Sequence, residues 1–177
     1  MDVSELLDKL DVLIERLPGR AIFELPASED DVIAVEGVIG RALPEAYRAF
    51  LLRHDGGFVA TNRVAREDEK ALSAERWNAN HLRGCDDLVR EYKDAIILER
   101  DIKPDLTDWP YVPFCQTNGQ ETLVFGPPGP DGVHPVLDAF HEIGAAEWGV
   151  LANSFADFLA LYIDGCGFPQ TIALSKA

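Results

Sequence analysis

Positive charge is scarce in this chain. Its 177 residues hold 16 Lys and Arg against 31 Asp and Glu, a net charge of −15. Residues 1–57 carry 12 acids and 6 bases, and residues 58–110 carry 12 and 9. Residues 111–177 carry 7 acids and a single base, Lys176. A field of that sign repels a phosphate backbone and argues against a nucleic-acid partner, while it steers a basic protein toward the surface. Cysteine is equally sparse. Cys85, Cys115 and Cys166 are far apart, form no CxxC pair and are odd in number, so neither a disulfide framework nor a zinc knuckle is expected. The expected state is buried or semi-buried thiols in a reducing compartment. Long apolar runs are missing too, which argues against a membrane helix of about 18 residues or more. The opening MDVSELLDKL is acidic where a signal peptide is basic, so a cytoplasmic protein is expected.

The catalytic patterns are also absent. No GxSxG elbow occurs, and Ser154, set before FADFL, is explained as a helix cap. The histidines are His54, His81, His134 and His141, and none belongs to HExxH or a helical i, i+4 pair. His134 and His141 share a strand-like stretch at an odd spacing, so they should point to opposite faces rather than share a metal. In GPPGPDG the prolines remove the backbone donors that a phosphate-cradling loop needs. No cofactor is indicated, and 31 carboxylates are too many for any acid–base pair to stand out.

What is present is a soluble-domain composition, 47% apolar and 27% charged, in a chain long enough for one substantial core. Leu6, Leu10, Leu13, Ile14 and Leu17 mark one face of a helix over 2–17, with a capping box from Asp2 and Glu5, ended by Pro18-Gly19. AIFELP reads as a short extended connection. Ser28 with Asp31 opens a second helix carrying Val32, Val35 and Ile39, with Gly40 as its C-cap. Glu36 shares that apolar side and needs a hydrogen-bond partner unless it lies at the stripe's edge. Pro44 suits the first position of a third helix, whose stripe is Tyr47, Phe50, Leu51 and His54 and which Gly56-Gly57 ends. GFVATNRVA leads off a sheet. Residues 65–81 read as an exposed loop or loose helix touching the body at Leu72 and Trp77. Residues 85–97 are helical at first, and LERDIKPDLTDWP is a connection.

From Tyr111 the pattern is β. YVPFCQT and ETLVFG flank an Asn118-Gly119 hairpin turn, and VHPVLDAFH is a third strand that Pro135 makes an edge or irregular at its start. GAAEWG turns, Ser154 with Asp157 caps a final helix bearing Phe155, Phe158, Leu159 and Tyr162, and 164–177 is a tail. Helices, then sheet, then helix make this α+β with a mainly antiparallel sheet.

The order LPEAYRAFLLRHDGG, WPYVPFCQTNGQETLVF, PVLDAFHE, NSFADFLALYI resembles the SUKH superfamily. That family comprises fungal cell-wall-assembly regulators of the Smi/Knr type and their bacterial relatives. Leu43, Pro44, Tyr47, Phe50, Leu51, Gly56 and Gly57 match its first element, Pro113 and Phe114 its second, and Ser154, Phe155, Phe158 and Leu159 its last. The likeness spans about residues 28–163 of one domain, 1–177, with the helix 2–17 and the tail 164–177 appended. Two departures stand out: the turn Asn118-Gly119-Gln120-Glu121, where relatives often carry an acidic or glycine pair, and the charged enlargement 65–81.

The resemblance implies a non-enzymatic α+β binding domain, in bacteria an immunity protein that neutralises a toxin, many such toxins being basic nucleases. The expected partner is then a basic toxin domain, with no nucleic acid and no membrane, and the oligomeric state stays open. Candidate contacts are Glu121, Asp131, Asp138, Glu142 and Glu147, with Asp86 and Asp87 as outliers. Each could equally be a solvated surface carboxylate. A regulatory or scaffold protein is the alternative, and an enzyme built around His54-Asp55 a third. The pair reads as the helix stop.

Overall fold

The computed structural model describes residues 2–64, 78–102, 109–119, 121–140 and 142–176. Along them run α1 (Val3–Arg16), β1 (Ala21–Phe23), α2 (Glu29–Ile39), α3 (Glu45–Leu51), β2 (Gly57–Val59) and β3 (His81–Leu82). There follow α4 (Cys85–Ile102), β4 (Val112–Gln116), β5 (Thr122–Phe125), β6 (Val136–Ala139), β7 (Gly149–Ala152), α5 (Phe155–Asp164) and α6 (Pro169–Lys176). The seven strands form an antiparallel sheet in sequence order, and a 3-10 turn (Ala145–Glu147) precedes β7. The α+β class is as the sequence predicts.

The caps act where the sequence places them. Ser28 and Asp31 close a reciprocal box at the start of α2, and the Ser154 side chain accepts from the Asp157 N–H. At α1 the Asp2 side chain accepts from Ser4 N–H. Pro44 stands one residue before α3, at its N-cap.

Register sorts the sheet into two faces. Val59, Leu82, Cys115, Leu123, Phe125 and Val136 point toward α1, α3 and α5 and build the main core. A bulge between Pro113 and Cys115 turns Phe114 into the same core, where its ring stacks on Phe125 at 4.1 Å. Tyr47, fully buried, meets Phe50, Phe114, Phe125 and Phe155 at 4.8–5.6 Å, so one α3 residue ties both sheet and C-terminal helix together. The opposite face carries Phe58, His81, Gln116, Thr122, Val124 and Leu137.

Several sequence expectations are corrected. The first half of AIFELP, Ala21–Phe23, is an edge strand, β1, and His81–Leu82 is a strand between β2 and β4 rather than loop. Ala79 and Asn80 are buried, not exposed, while 65–77, with Leu72 and Trp77, lie outside the described residues, as does His141. The helix from Cys85 continues to Ile102, through what reads as a connection. Its acids and the flanking prolines suggest a loop, but Ala95, Ile96 and Leu98 are adequate helix formers and packing completes it. β6 pairs on both sides, so the edge falls to β7, too short to show a period, while the irregular start expected from Pro135 is present as a register shift between Val136 and Leu137. Residues 169–176 form a helix with Pro169 at its first position.

Candidate functional site

His54 and Asp55 separate. His54 extends the α3 stripe and packs edge-on to Phe23, ring centroids 5.4 Å apart. Its Nε2 lies 2.7 Å from Asp11 Oδ1 of α1, and Arg53 also pairs with Asp11. Burial opposes the charge on Asp11, yet hydrogen bonds from Arg53 and His54 hold its carboxyl below the usual range. Asp55 turns the other way, and its Oδ1 accepts from Cys85 N–H at 2.7 Å, anchoring the start of α4. The two side chains therefore secure different helices and share no reacting centre. Cys85, next to Asp55, has its thiol pushed up to about 12, by burial first and the neighbouring carboxylate second, so it is protonated at neutral pH.

Gly56 and Gly57, at φ 86° and 147°, set β2 tightly between its neighbours. A Cβ on Gly56 would lie 2.5 Å from Gly84 N, and one on Gly57 would lie 2.6 Å from Ile22 O. This close approach makes a small hollow of about 200 Å³, on whose rim Asp86 and Asp87 stand. Asp87 is drawn to Arg90 at 2.5 Å, and Asp86 is exposed.

A larger groove, about 830 Å³, opens on the sheet face away from α1 and α5. Its floor is Pro113, Thr122, Val124 and Ala139, from three adjacent strands. One bank is α4. Leu88 and Tyr92 hold that helix to the core, the Tyr92 hydroxyl donating to Trp109 O at 3.2 Å. The turn positions between them leave Glu91, Asp94, Ala95, Leu98 and Glu99 facing the groove. The other bank is the segment 143–148, fixed by Trp148 Nε1 donating to Phe140 O at 3.2 Å. Trp109, Tyr111 and Trp148 form an edge-to-face chain across one end, with centroid distances of 5.1 and 4.9 Å.

At the head of the groove Arg83, its side chain 9% exposed, pairs with Glu91 at 2.5 Å and donates to Gln116 Oε1 at 2.7 Å. Burial raises the Glu91 carboxyl while Arg83 opposes the rise. Asp94 and Glu99 have no ion-pair partner among the described residues.

The structure distributes the predicted acids. Glu142 and Glu147 are exposed, one just before and one within the 143–148 segment, but the side chains of that bank that line the groove are Ile143, Ala145 and Trp148. Glu121 and Asp138 lie together at the margin of the helix-covered face, where Asp138 borders a second hollow with Ala160 and Leu161. Burial first, and Glu121 second, raise the Asp138 carboxyl, whose Oδ1 is buried without a hydrogen-bond partner. Asp131 closes the 127–132 turn by accepting from Val133 N–H at 3.1 Å, away from the groove. Sequence reasoning passed over Asp94, Glu99, Trp109, Tyr111 and Trp148. Ile97 and Leu98, 59% and 67% exposed, give α4 an apolar edge beside these acids.

Among the described residues no helix is long and apolar enough to cross a membrane, and no group of three His, Cys, Asp or Glu could hold a metal ion. No curated protein matches the chain. The model of the SMI1 / KNR4 family (SUKH-1) matches residues 26–161, from the connection after β1 into α5. The match takes in the α3 stripe, the double glycine, the groove and the Ser-capped aromatic helix, and the chain belongs to the SMI1 / KNR4 family (SUKH-1).

Proposed function

We propose that this chain is a non-enzymatic protein-binding module that neutralises a bacterial toxin, basic and of nuclease type, by binding it stoichiometrically. Family membership supports a protein-binding role of the immunity or Smi/Knr kind. The observation that carries the finer reading is the acid-banked groove on a sheet face, in a chain of net charge −15. A nuclease surface is basic because it approaches phosphates, so a complementary acidic surface accelerates encounter and competes for the same cations. Asp94 and Glu99 form the central contacts, with Glu142 and Glu147 on the segment beside the groove, Asp86 and Asp87 at the neighbouring hollow, and Glu121, Asp131 and Asp138 toward the periphery. Inhibition is by occlusion: the toxin's substrate-binding cations are covered, and no bond in it is broken.

The test is co-expression with the product of an adjacent toxin gene, followed by gel filtration. Rescue of growth together with a one-to-one complex is the expected result. Absence of both, with the two proteins folded, would remove the immunity reading. A stable complex with a partner that is not toxic would favour the scaffold role.

A further inference from the structure

The geometry points to the chemistry of the segment that enters the groove: an arginine-bearing stretch of a partner protein, with an apolar side chain next to the arginine. This rests on the protein-binding reading above and specifies which part of the partner is held. Three features of the groove converge on it. The floor around Pro113 and Val124 is apolar and offers burial to an aliphatic side chain. Tyr111 and Trp148, both half-buried, supply aromatic surface at one end. Asp94 and Glu99 stand on the helix bank without ion-pair partners among the described residues, whereas Glu91 is already held by Arg83. A planar guanidinium can stack on an aromatic ring and bridge carboxylates in its own plane at once. An ammonium is a strongly hydrated point charge and does this less well.

The same charges choose between occupants. A second copy would bring a chain of net charge −15, with Lys176 as its only base beyond residue 110, against a bank that is itself acidic. Like charge makes self-association through this face unfavourable. A phosphate-bearing ligand is repelled for the same reason. A basic protein segment is the occupant that both the apolar floor and the acidic helix bank accept.

The experiment uses the full chain, isotopically labelled, and three short peptides. One alternates Arg and Leu, the second replaces every Arg by Glu, and the third replaces every Leu by Ser. Amide and indole chemical shifts are followed during titration. The Arg-Leu peptide is expected to move the Trp148 indole signal and the amides of Ala95, Thr122 and Gly144, and to bind more weakly as salt is raised. The Leu-to-Ser peptide should bind more weakly, and the Glu peptide should not bind. Replacing Asp94→Lys together with Glu99→Lys should weaken the Arg-Leu peptide by about tenfold or more, while Glu15→Lys, at an exposed position of α1, should leave it within about twofold. Trp148→Ala is a second probe, and should it fail to fold, the Asp94→Lys, Glu99→Lys pair, exposed and half-buried, carries the test. Equal binding of the Glu peptide, shifts centred elsewhere, or undiminished affinity in the double lysine variant would overturn the inference. So would a dimer that the double variant dissociates, since the occupant would then be a second copy. None of these outcomes involves a toxin, so failure here and failure of the immunity reading are distinguishable.

Discussion

Tyr162→Phe should be among the most costly single-atom deletions in this protein. The side chain is fully buried on α5, and its hydroxyl serves two backbone groups at once. It accepts from Val59 N–H at 3.1 Å and donates to Asn80 O at 3.2 Å. Those groups sit at the end of β2 and just before β3, so one oxygen joins the C-terminal helix to two neighbouring strands. Burial holds the phenol protonated far beyond the working pH range, so the donor is always present. Phenylalanine keeps the ring and its packing and removes only the oxygen. Val59 and Asn80 are both fully buried, so a donor and an acceptor would be left without water to replace the hydroxyl. Each such orphan costs about 1–3 kcal/mol, and partial relaxation suggests a total of about 2–4 kcal/mol. At roughly 2–4 °C per kcal/mol for a domain of this size, a loss near 3 kcal/mol lowers Tm by about 6–12 °C. Urea unfolding of the two proteins measures this directly, with an unchanged slope as the control that neither end state has been altered. A loss below about 1 kcal/mol at equal slope would refute the account, because the hydroxyl would then not be the sole partner of those groups.

Glu36→Ala should cost about 1–2 kcal/mol by the same assay, since Glu36 Oε1 accepts from Leu43 N–H at 3.0 Å and Oε2 from Arg48 at 2.9 Å, pinning the loop between α2 and α3. The Asp11 carboxyl is held below its usual range, so its contribution is full above the unfolded value near pH 4 and lost as pH falls through the lower folded value. Stability measured across acidic pH should therefore show wild type losing its advantage over Asp11→Asn below about pH 4, and a gap that widened there would contradict the pairing with Arg53 and His54. Iodoacetamide should label Cys166, which is exposed, while the buried Cys85 and Cys115 react only after unfolding, as read by mass spectrometry. Rapid labelling of Cys85 in the folded chain would contradict its protonated, Asp55-flanked setting.

How much could be read beforehand depended on how local each cause is. The Ser28–Asp31 box, the Ser154 cap and the stripe Tyr47, Phe50, Leu51, His54 are each decided within a few residues, and they stand as the sequence indicates. Glu36, on the apolar side of its helix, needs a partner, and it has two. The short strands were legible only in part. β4 and β5 announce themselves through the Asn118-Gly119 turn, whereas β3 has two residues and β7 four, too few to display alternation. The full length of α4 is hard to read because its last turns look polar, although Ala95 and Ile96 still pack against the core.

The amino-acid order by itself determined the fold class, the family and the acidic balance, because caps, periods and charge counts are properties of neighbouring residues. It placed the end of α3 too late, since the helix closes at Leu51 with Leu52 as its C-cap and Gly56-Gly57 lead into β2 instead. Only the tertiary structure decided that His54 would serve α1 while Asp55 anchors α4, and that Asp94, Glu99, Tyr111 and Trp148 would border one groove. Those side chains come from a helix, a strand approach and a distant connecting segment. Their proximity is set by strand register and helix packing, long-range interactions that no short window of sequence contains.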